Sequence, residues 1–587
     1  MSTEPQPETP TEKTESRKKR FGCLKLCLVV FIILAFPLVW FNISTPLRVS
    51  KETTYVLGPM TSDGKRIDYF LAMEEQFYPP EMKTDDNGYR LIVRACGDMV
   101  NRDKSQLDPK TRQRITEKID AEPFRLQVYE KLGLDPDEKP TLKIQSPYAA
   151  DYFGKRDNKE ELEQRDKFMM WKTFWTFDDF PMLKVWLEEN TAGIDLLAEA
   201  VRKPAFRIPY VRENENTPIF EACMPLNEVQ MLREWARAAS ARAYYRLGIG
   251  DIDGAIDDIV TIHRLARHGG RHGTLVAGLV GIAIEGVASA IGIGINPNFP
   301  PTKEQLERLV AELNALPPRP TMGEVLESER YFNLAAIQDM YWGNNSSSSG
   351  EQGLMQLYPY MSWTIDINLF MTRWNKEFDE VRDGNFDFNV RNPSWNPLPL
   401  LFIRSRTNSI YEVLFWLAIP AIQGGQEEWH RMECAENMQR LTLALLLYEK
   451  KHGKLPADDW RQTLKEAGTS VPDNVFRCPS HGLQEGYTTY AMIGGVPNST
   501  LSPYQILLVE VVQPQKLGEG DGRFPFEKAK FWGQNNVPRH EGFDGLGSYH
   551  RGGMNAGFRS GAVRFVGETI EQEKLQQLLD GSAAALP

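Results

Sequence analysis

The sequence predicts an α+β protein with a single N-terminal transmembrane helix, a mainly helical middle domain built of helical hairpins, and a C-terminal domain in which a helix packs on an antiparallel sheet. Three observations support this fold class. An apolar run directly follows the basic residues RKKR, a helical period persists from about 158 to 340, and short alternating runs occur near the C-terminus. At 587 residues the chain is too long for one hydrophobic core, so several domains are expected.

The N-terminal segment predicts the compartment. Residues 1–20 are polar and end in RKKR, and we expect them to form a disordered cytoplasmic tail. Residues 21–42 are the predicted transmembrane signal anchor, since the apolar run 21–41 would span roughly 31 Å as a helix. Because the basic residues precede this run, the body is expected outside the cytoplasm, anchored through 21–41 to the cell inner membrane. A cleaved signal peptide is the alternative, although no small-x-small cleavage site follows the run.

Two regions follow the anchor. Residues 51–155 are predicted to be a mixed α/β segment, with strand-like runs at 53–60 and 89–96 and a helical run at 66–78. Residues 156–400 are predicted to be the helical domain. Its candidate helices lie near 158–178, 181–203, 226–248, 252–268, 273–293, 303–315 and 322–340.

The clearest helical hairpin covers residues 239–270. Its two amphipathic helices meet at GIGD, where Gly248 and Gly250 supply the turn and Asp251 can cap the second helix. The adjoining apolar run 274–295 leaves two interpretations open, a buried central helix or a second span. Glu285 in its middle, together with its glycines, favours the buried helix.

Few sequence patterns after the predicted anchor indicate a catalytic, metal-binding or nucleic-acid-binding site. The net charge of −11 argues against a nucleic-acid-binding protein. His263, His268 and His272 invite a metal interpretation, but their offsets of five and nine do not share one helix face. The acidic loops at 251–258 and 383–389 depart from the calcium-loop pattern. No catalytic residue, cofactor or metal ligand is therefore predicted, and the aromatic stretch 169–186 is interpreted as core, with a binding groove as its alternative.

The last third of the chain carries several motifs in order. An apolar run ending in PAIQ (420–423) precedes a helix with Cys434 and Asn437; FRCPSHG (476–482) and the strand ILLVEVV (506–512) follow. Nine residues then separate His550 from Ser560 and Gly561. Over about 412–570 the chain resembles the pseudopilin-like bacterial proteins with a C-terminal H-X9-DG motif (prepilin-type processing-associated). The resemblance implies a pseudopilin-like domain over 405–587, with serine at the position of the family's aspartate.

The C-terminal signature is interpreted as a structural motif. Runs at 554–558 and 562–566 predict a hairpin, in which Gly561 supplies the positive φ of the turn and Ser560 hydrogen-bonds it. His550 is expected to pin the preceding loop by a hydrogen bond, since no ligand set or catalytic triad is recognised around it.

Cysteine pairing is left open. Within the domain that the resemblance implies, Cys434 lies on the helix and Cys478 on the segment leading to the sheet. A disulfide between them would close a loop of about 45 residues and add about 4 kcal/mol in the chain-entropy model. Cys96 and Cys223 are the other candidate pair in an exported body.

The expected function is non-enzymatic. In pilin-like proteins the apolar helix is N-terminal, whereas the corresponding run here, 410–422, is internal, so no pilus-subunit function is expected. The chain is predicted to be a membrane-anchored exported scaffold that binds a partner in the bacterial cell envelope or secretion apparatus. The alternatives are a hydrolase of envelope polymers, with Asp178, Asp179 and Glu221 in the helical domain, and a protein that contacts a filament tip through 410–422.

Overall fold

The computed structural model shows an α+β protein with many helices and one five-stranded sheet. The residues that the structure describes are 46–77, 80–97, 122–148, 152, 159–171, 173–212, 214–215, 217, 226–271, 274–342, 365–383, 403–457, 459–466, 471–479, 487–494, 502–516, 520–525, 546–548, 550 and 552–583.

The helices predicted between 158 and 340 are present, and most ends lie within a few residues of the predicted ones; the first helix ends at Met170 instead of near 178. The hairpin turn is also as expected, because Gly250 has a φ of 83° and the Asp251 side chain accepts a hydrogen bond from the Gly254 N–H. Short 3-10 helices lie at Pro80–Lys83 and Asp473–Phe476. The α-helices are α1 (Tyr69–Phe77), α2 (Gly88–Cys96), α3 (Glu122–Leu132), α4 (Lys159–Met170), α5 (Leu183–Ala200), α6 (Leu226–Ile249), α7 (Ile252–Gly269), α8 (Leu275–Ser289), α9 (Lys303–Asn314), α10 (Met322–Trp342), α11 (Ile367–Arg382), α12 (Ile403–His452), α13 (Trp460–Glu466) and α14 (Gln572–Asp580).

The sheet lies in the C-terminal third. Its strands are β1 (Tyr487–Gly494), β2 (Ile506–Lys516), β3 (Arg523–Pro525), β4 (Gly553–Phe558) and β5 (Val563–Gly567). Their spatial order is β3-β1-β2-β4-β5, and all neighbours are antiparallel except β1 and β3. The predicted hairpin is present as β4–β5, whereas the short edge strand β3 was not predicted.

The chain divides into two compact units that cut across the domain limits expected at 155 and 405. The first unit comprises the residues up to Tyr69 together with Asn333–Ile419, and the second comprises Phe70–Phe332 together with Pro420–Pro587.

Side-chain amides hold the N-terminal described segment in the first unit. Gln338 on α10 bonds both the N–H and the carbonyl of Ile67, at 3.2 and 3.1 Å. On α11, the Asn375 amide donates to the Thr53 carbonyl at 2.8 Å. Because this segment forms no helix or strand before α1, these bonds satisfy backbone groups that would otherwise lack partners. Residues 53–60 are accordingly a loop, and the strand expected there is wrong.

One hydrophobic core joins the helical and sheet parts of the second unit. Ile291 and Leu306 from the helical part belong to the same buried cluster as Leu443 on α12, Val509 on β2 and Phe558 on β4. Each of these side chains is at most 2% exposed. The amphipathic half of α12, predicted over 425–452, therefore packs against both parts.

The predicted fold class needs one correction. Among the described helices, none combines the length and the apolar composition that a bilayer crossing requires, so the structure does not support the single N-terminal transmembrane helix. The residues on which that prediction rested, 21–42, lie outside the described residues, as does the tail 1–20.

The apolar run 274–295 forms a buried helix, as the preferred interpretation held. Helix α8 has 15 residues, about 22 Å, which is short of a bilayer core. The Glu285 side chain in its middle is paired with His263 and Arg267, at 2.7 and 3.4 Å. A buried carboxylate that pairs with an arginine and lies at hydrogen-bond distance from an imidazole is stable inside a protein, where an unpaired one would be costly.

The strand predicted over 89–96 is also wrong, because these residues form α2. The Asn87 side chain accepts a hydrogen bond from the Tyr89 N–H and caps the helix. Tyr89, Ile92 and Val93 are buried at helical spacing. At Gly88, an added Cβ would lie 2.0 Å from the carbonyl oxygen of Ala200 at the end of α5, so the glycine permits the close approach of the two helices.

Candidate functional site: a buried cysteine, glutamate and histidine cluster

Four polar side chains from four separate segments meet inside the second unit. Cys434 lies on α12, Cys478 follows the 3-10 helix Asp473–Phe476, Glu510 lies on the central strand β2, and His550 precedes β4. Their Sγ, carboxylate and imidazole ligand atoms all lie within 4.8 Å of one another. We call these four residues the Cys–Glu–His cluster.

The cluster is closely spaced and sealed from solvent. The two sulfur atoms are 3.0 Å apart, Cys478 Sγ lies 3.9 Å from His550 Nε2, and that nitrogen lies 3.4 Å from Glu510 Oε1. Each of the four residues is at most 4% exposed. Solvent and substrates therefore have no direct access to the sulfur atoms.

Backbone contacts fix the histidine and the carboxylate. Glu510 Oε2 accepts the Asn555 N–H of β4 at 2.6 Å, which orients the carboxylate. The loop before β4 is held by Ser548, whose hydroxyl accepts the His550 N–H at 3.0 Å and donates to the Gly553 carbonyl at 2.7 Å. The loop is thus pinned by a serine, and the imidazole of His550 turns into the cluster.

The segment that carries Cys478 is tied to α12. The Asn437 amide, one helical turn after Cys434, donates to the Arg477 carbonyl at 3.2 Å. The hydroxyl of Tyr490 on β1 lies 3.5 Å from the same carbonyl oxygen. These bonds set the position of Cys478 relative to the helix.

The electrostatics of the cluster favour charged forms of two members. The thiolate of Cys478 accepts hydrogen bonds from Cys434 and from His550, which lowers the pKa of Cys478 to about 6 although burial opposes this. Burial alone would lower the pKa of His550, but the Cys478 sulfur and the Glu510 carboxylate beside it raise it to about 10. Burial also raises the pKa of Cys434 well above its usual value.

Two chemical uses fit this arrangement. Thiol, imidazole and carboxylate groups are the ligands that Zn²⁺ takes in proteins, and four of them complete a tetrahedral shell. Alternatively, the two sulfur atoms are close enough for a small movement to bring them to disulfide distance. A nucleophilic role for Cys478 is disfavoured, because no substrate reaches a side chain at this depth.

The other two signature residues lie beyond the far end of β4. Gly561 has a φ of 87° at the tip of the β4–β5 hairpin, where its N–H donates to the Phe558 carbonyl at 2.8 Å. Ser560 is fully buried, and its carbonyl accepts the Gly294 N–H at 2.9 Å. The signature therefore holds the hairpin against the helical part of the second unit.

The histidines singled out on α7 have structural contacts. His263 Nδ1 lies 2.7 Å from Glu285, within a buried ionic network. His268 bonds the Val201 carbonyl at 3.0 Å and stacks on Phe206. Burial lowers the pKa of His268 to about 4, so this residue is neutral in the folded protein. His272 lies outside the described residues.

The candidate hydrolase residues do not converge among the described residues. Asp179 Oδ2 accepts hydrogen bonds from the backbone and the hydroxyl of Thr176, so it closes a local turn. Asp178 is exposed, and Glu221 lies outside the described residues, as does Cys223. The aromatic stretch 169–186 supplies core side chains instead of a groove. Trp175, Phe180 and Trp186 are each at most 1% exposed.

Glu510 is the functional residue that sequence reasoning missed. Its signal was a single acidic residue in the otherwise apolar run ILLVEVV, since a buried strand carries a charge only where a partner neutralises it. The ligand set around His550 was also missed, because its members are spread over more than a hundred residues.

Comparison with known protein families gives a match in the C-terminal region. Residues 515–573 match a family described as "Protein of unknown function (DUF1559)", which is about a tenth of the chain and includes β4, β5 and His550. No curated protein and no solved structure has a significant match to the chain.

Proposed function

We propose that this protein is a non-enzymatic scaffold, which binds another protein of the bacterial cell envelope or secretion apparatus. The observation that carries the proposal is the single core of the second unit, in which the C-terminal sheet and the helical hairpins are built into one body. A body built on one shared core offers a large continuous surface that a partner can bind.

The interior of the described residues supports this proposal. One cavity, lined by Arg267, Glu285, Arg319 and Trp429 among others, measures about 10 Å³, and a second beside Arg440 is of the same size. Such a volume holds about one water molecule, whereas small-molecule sites measure roughly 300–1,000 Å³. The reactive side chains of the Cys–Glu–His cluster are sealed as well.

We further propose that the C-terminal region is a pseudopilin-like domain of the H-X9-DG type. The match over 515–573 supports a relationship to the family of unknown function at that end of the chain. The order of the motifs from Cys434 to Gly561 supports the finer assignment. In this proposal the domain serves as a built-in interaction module, because the helix preceding its sheet, α12, is internal to the chain instead of N-terminal.

The scaffold proposal can be tested by photo-crosslinking in intact cells. Truncation before residue 405 is unsuitable, because it would remove part of the shared core. We would place a photo-reactive amino acid at exposed apolar positions of the second unit, namely Leu126, Met169 and Val185. Lys184, the exposed neighbour of Val185 on α5, points about 100° away around the helix and is the matched control.

The scaffold proposal expects one discrete adduct of the same partner from at least one apolar position. The adduct should be absent when the photo-reactive amino acid is at Lys184. It should also be recovered when an affinity tag is placed on the partner instead of on this chain. A charged residue placed at the exposed neighbours of the reactive position should abolish it. Absence of any discrete adduct at all three positions, with turnover of an envelope polymer by the purified full chain, would instead favour the hydrolase.

A further inference from the structure

We infer that the Cys–Glu–His cluster is a structural Zn²⁺ site. Nothing in the sequence motifs or in the matched family assigns a metal to this chain, and the inference is independent of the proposed scaffold function. It depends on the ligand types, their distances and one buried oxygen atom without a hydrogen-bond partner.

Two of the distances between ligand atoms agree with a tetrahedral zinc shell. Zinc bonds to sulfur, nitrogen and oxygen are about 2.0–2.3 Å long, which places ligand atoms roughly 3.3–3.8 Å apart. The separation of 3.4 Å between His550 Nε2 and Glu510 Oε1, and that of 3.9 Å between Cys478 Sγ and the same nitrogen, are close to this range.

The distance between the sulfur atoms does not distinguish zinc from a disulfide. At 3.0 Å it lies between the bonded distance of about 2.05 Å and the value of roughly 3.8 Å for two thiolates on one zinc ion. Either outcome requires a movement of less than about 1 Å.

The carboxylate of Glu510 favours the metal. Its Oε2 atom accepts the Asn555 N–H, but its Oε1 atom is buried without a hydrogen-bond partner and points toward His550 and the two sulfur atoms. A buried carboxylate oxygen left in this state is costly. A cation bound to all four residues would satisfy this oxygen, whereas a disulfide between Cys434 and Cys478 would leave it unchanged.

The ligand set also indicates which cation and which role. Two thiolates and an imidazole select Zn²⁺ over Mg²⁺ or Ca²⁺, which prefer oxygen ligands. Binding would release the thiol protons to solvent, because thiolates are the ligating form. Four protein ligands fill a tetrahedral shell and leave no open position, so the ion would be structural and would tie α12 to the sheet.

The test measures zinc bound to the full chain, purified under reducing conditions without chelators. We expect one zinc ion per chain by elemental mass spectrometry, and Co²⁺ in its place should show the visible absorption of a tetrahedral thiolate site. In His550→Gln and Cys478→Ser, zinc content should fall to near zero. In Glu510→Gln the affinity for zinc should fall at least about 10-fold. The control is Cys96→Ser, which changes a described cysteine outside the cluster and should keep the ion.

A variant that fails to fold would also lose zinc, so a second measurement uses the unaltered chain. Adding a chelator should lower its thermal midpoint, and adding zinc chloride afterwards should restore it. Two results would overturn the inference. One is a chain that takes up no zinc even when supplied with it, and that shows a Cys434–Cys478 disulfide when purified without reductant. The other is zinc bound equally by the unaltered chain and by all three cluster variants, which would make the ion adventitious.

Discussion

Replacing Gly292 with alanine should loosen the contact between the β4–β5 hairpin and the helical part of the second unit. A Cβ atom at this position would lie 2.5 Å from Ser560 Oγ, 2.6 Å from its Cβ and 2.8 Å from its carbonyl oxygen. A Cβ atom in a protein does not approach non-bonded atoms so closely. Either Ser560 or the segment around Gly292 must therefore move, and the buried hairpin tip is pushed outward.

The size of the effect follows from the packing. Inserting one methyl group into a filled site costs about 1–3 kcal/mol. The Gly294 N–H donates to the Ser560 carbonyl at 2.9 Å, so its hydrogen exchange reports directly on this contact. A local destabilisation of about 2 kcal/mol would accelerate that exchange roughly 30-fold, if exchange proceeds through local opening. Hydrogen-exchange mass spectrometry on peptides covering 290–296 and 556–564 would measure it.

Two further variants serve as controls. At Gly286, inside α8, the nearest atoms to an added Cβ are those of Met432 at 3.9 Å, which is ordinary contact. Gly286→Ala should therefore stabilise the helix by up to about 1 kcal/mol. In a Gly292→Ala background, Ser560→Gly removes two of the three close contacts and should restore part of the protection. If Gly292→Ala exchanged as slowly as the unaltered chain, the reasoning that places Ser560 against Gly292 would be refuted.

Three other predictions concern the helical part. Asp258→Asn should destabilise the α6–α7 hairpin by about 1.5–3 kcal/mol and lower the thermal midpoint, because the buried Arg242 loses the carboxylate that lies 2.6 Å away and keeps only the exposed Asp195 as an acidic partner. The pKa of His268 is about 4 in the fold and about 6.5 in the unfolded chain, so only the unfolded chain takes up this proton between those values. Stability should therefore fall by about 2 kcal/mol from about pH 7 to about pH 5, and His268→Asn should flatten the dependence of the thermal midpoint on pH. Thr302→Ala breaks the capping box of α9, and should cost about 1 kcal/mol and speed hydrogen exchange in that helix's first turn.

Each of these predictions has a matched comparison. Asp253→Asn removes an exposed carboxylate, which pairs with Arg308 at 2.9 Å, and should cost less than about 1 kcal/mol. Equal losses in the two aspartate variants would show that burial of the Arg242 pair has no special effect. Thr302→Ser keeps the capping oxygen and should behave like the unaltered chain. If the thermal midpoint of His268→Asn falls with pH as steeply as that of the unaltered chain, His268 is not the source of the acid sensitivity.

The helices between 158 and 340 could be predicted from sequence because apolar residues recur at helical spacing over more than one hundred residues. In contrast, the short run YRLIVRAC contains too few residues to separate a strand from a helix by period. Its helical state depends on Asn87 as a cap and on the close contact of Gly88 with α5. Tertiary contacts decided the outcome there, and these cannot be deduced from eight residues.

The candidate site could be predicted only in pieces. His550, Cys434 and Cys478 were each singled out, two as a candidate disulfide and one as a loop anchor. Their convergence depends on strand order, because β2 must lie beside β4 for Glu510 to meet His550. The pairing of β2 with β4 cannot be deduced from the spacing of residues along the chain. The signal for Glu510 is equally weak, since it is a single acidic residue in an apolar strand.

The two units are interleaved along the chain, and this order has a consequence for synthesis on the ribosome. The segment up to Tyr69 completes its unit only with Asn333–Ile419, and the helices from Phe70 to Phe332 complete theirs only with Pro420–Pro587. At roughly 5–20 residues per second, the wait between Tyr69 and Asn333 is on the order of ten to fifty seconds. During that time the nascent helices expose the apolar faces that later cover the sheet. The yield of folded protein should therefore depend on chaperones that hold the unfinished chain.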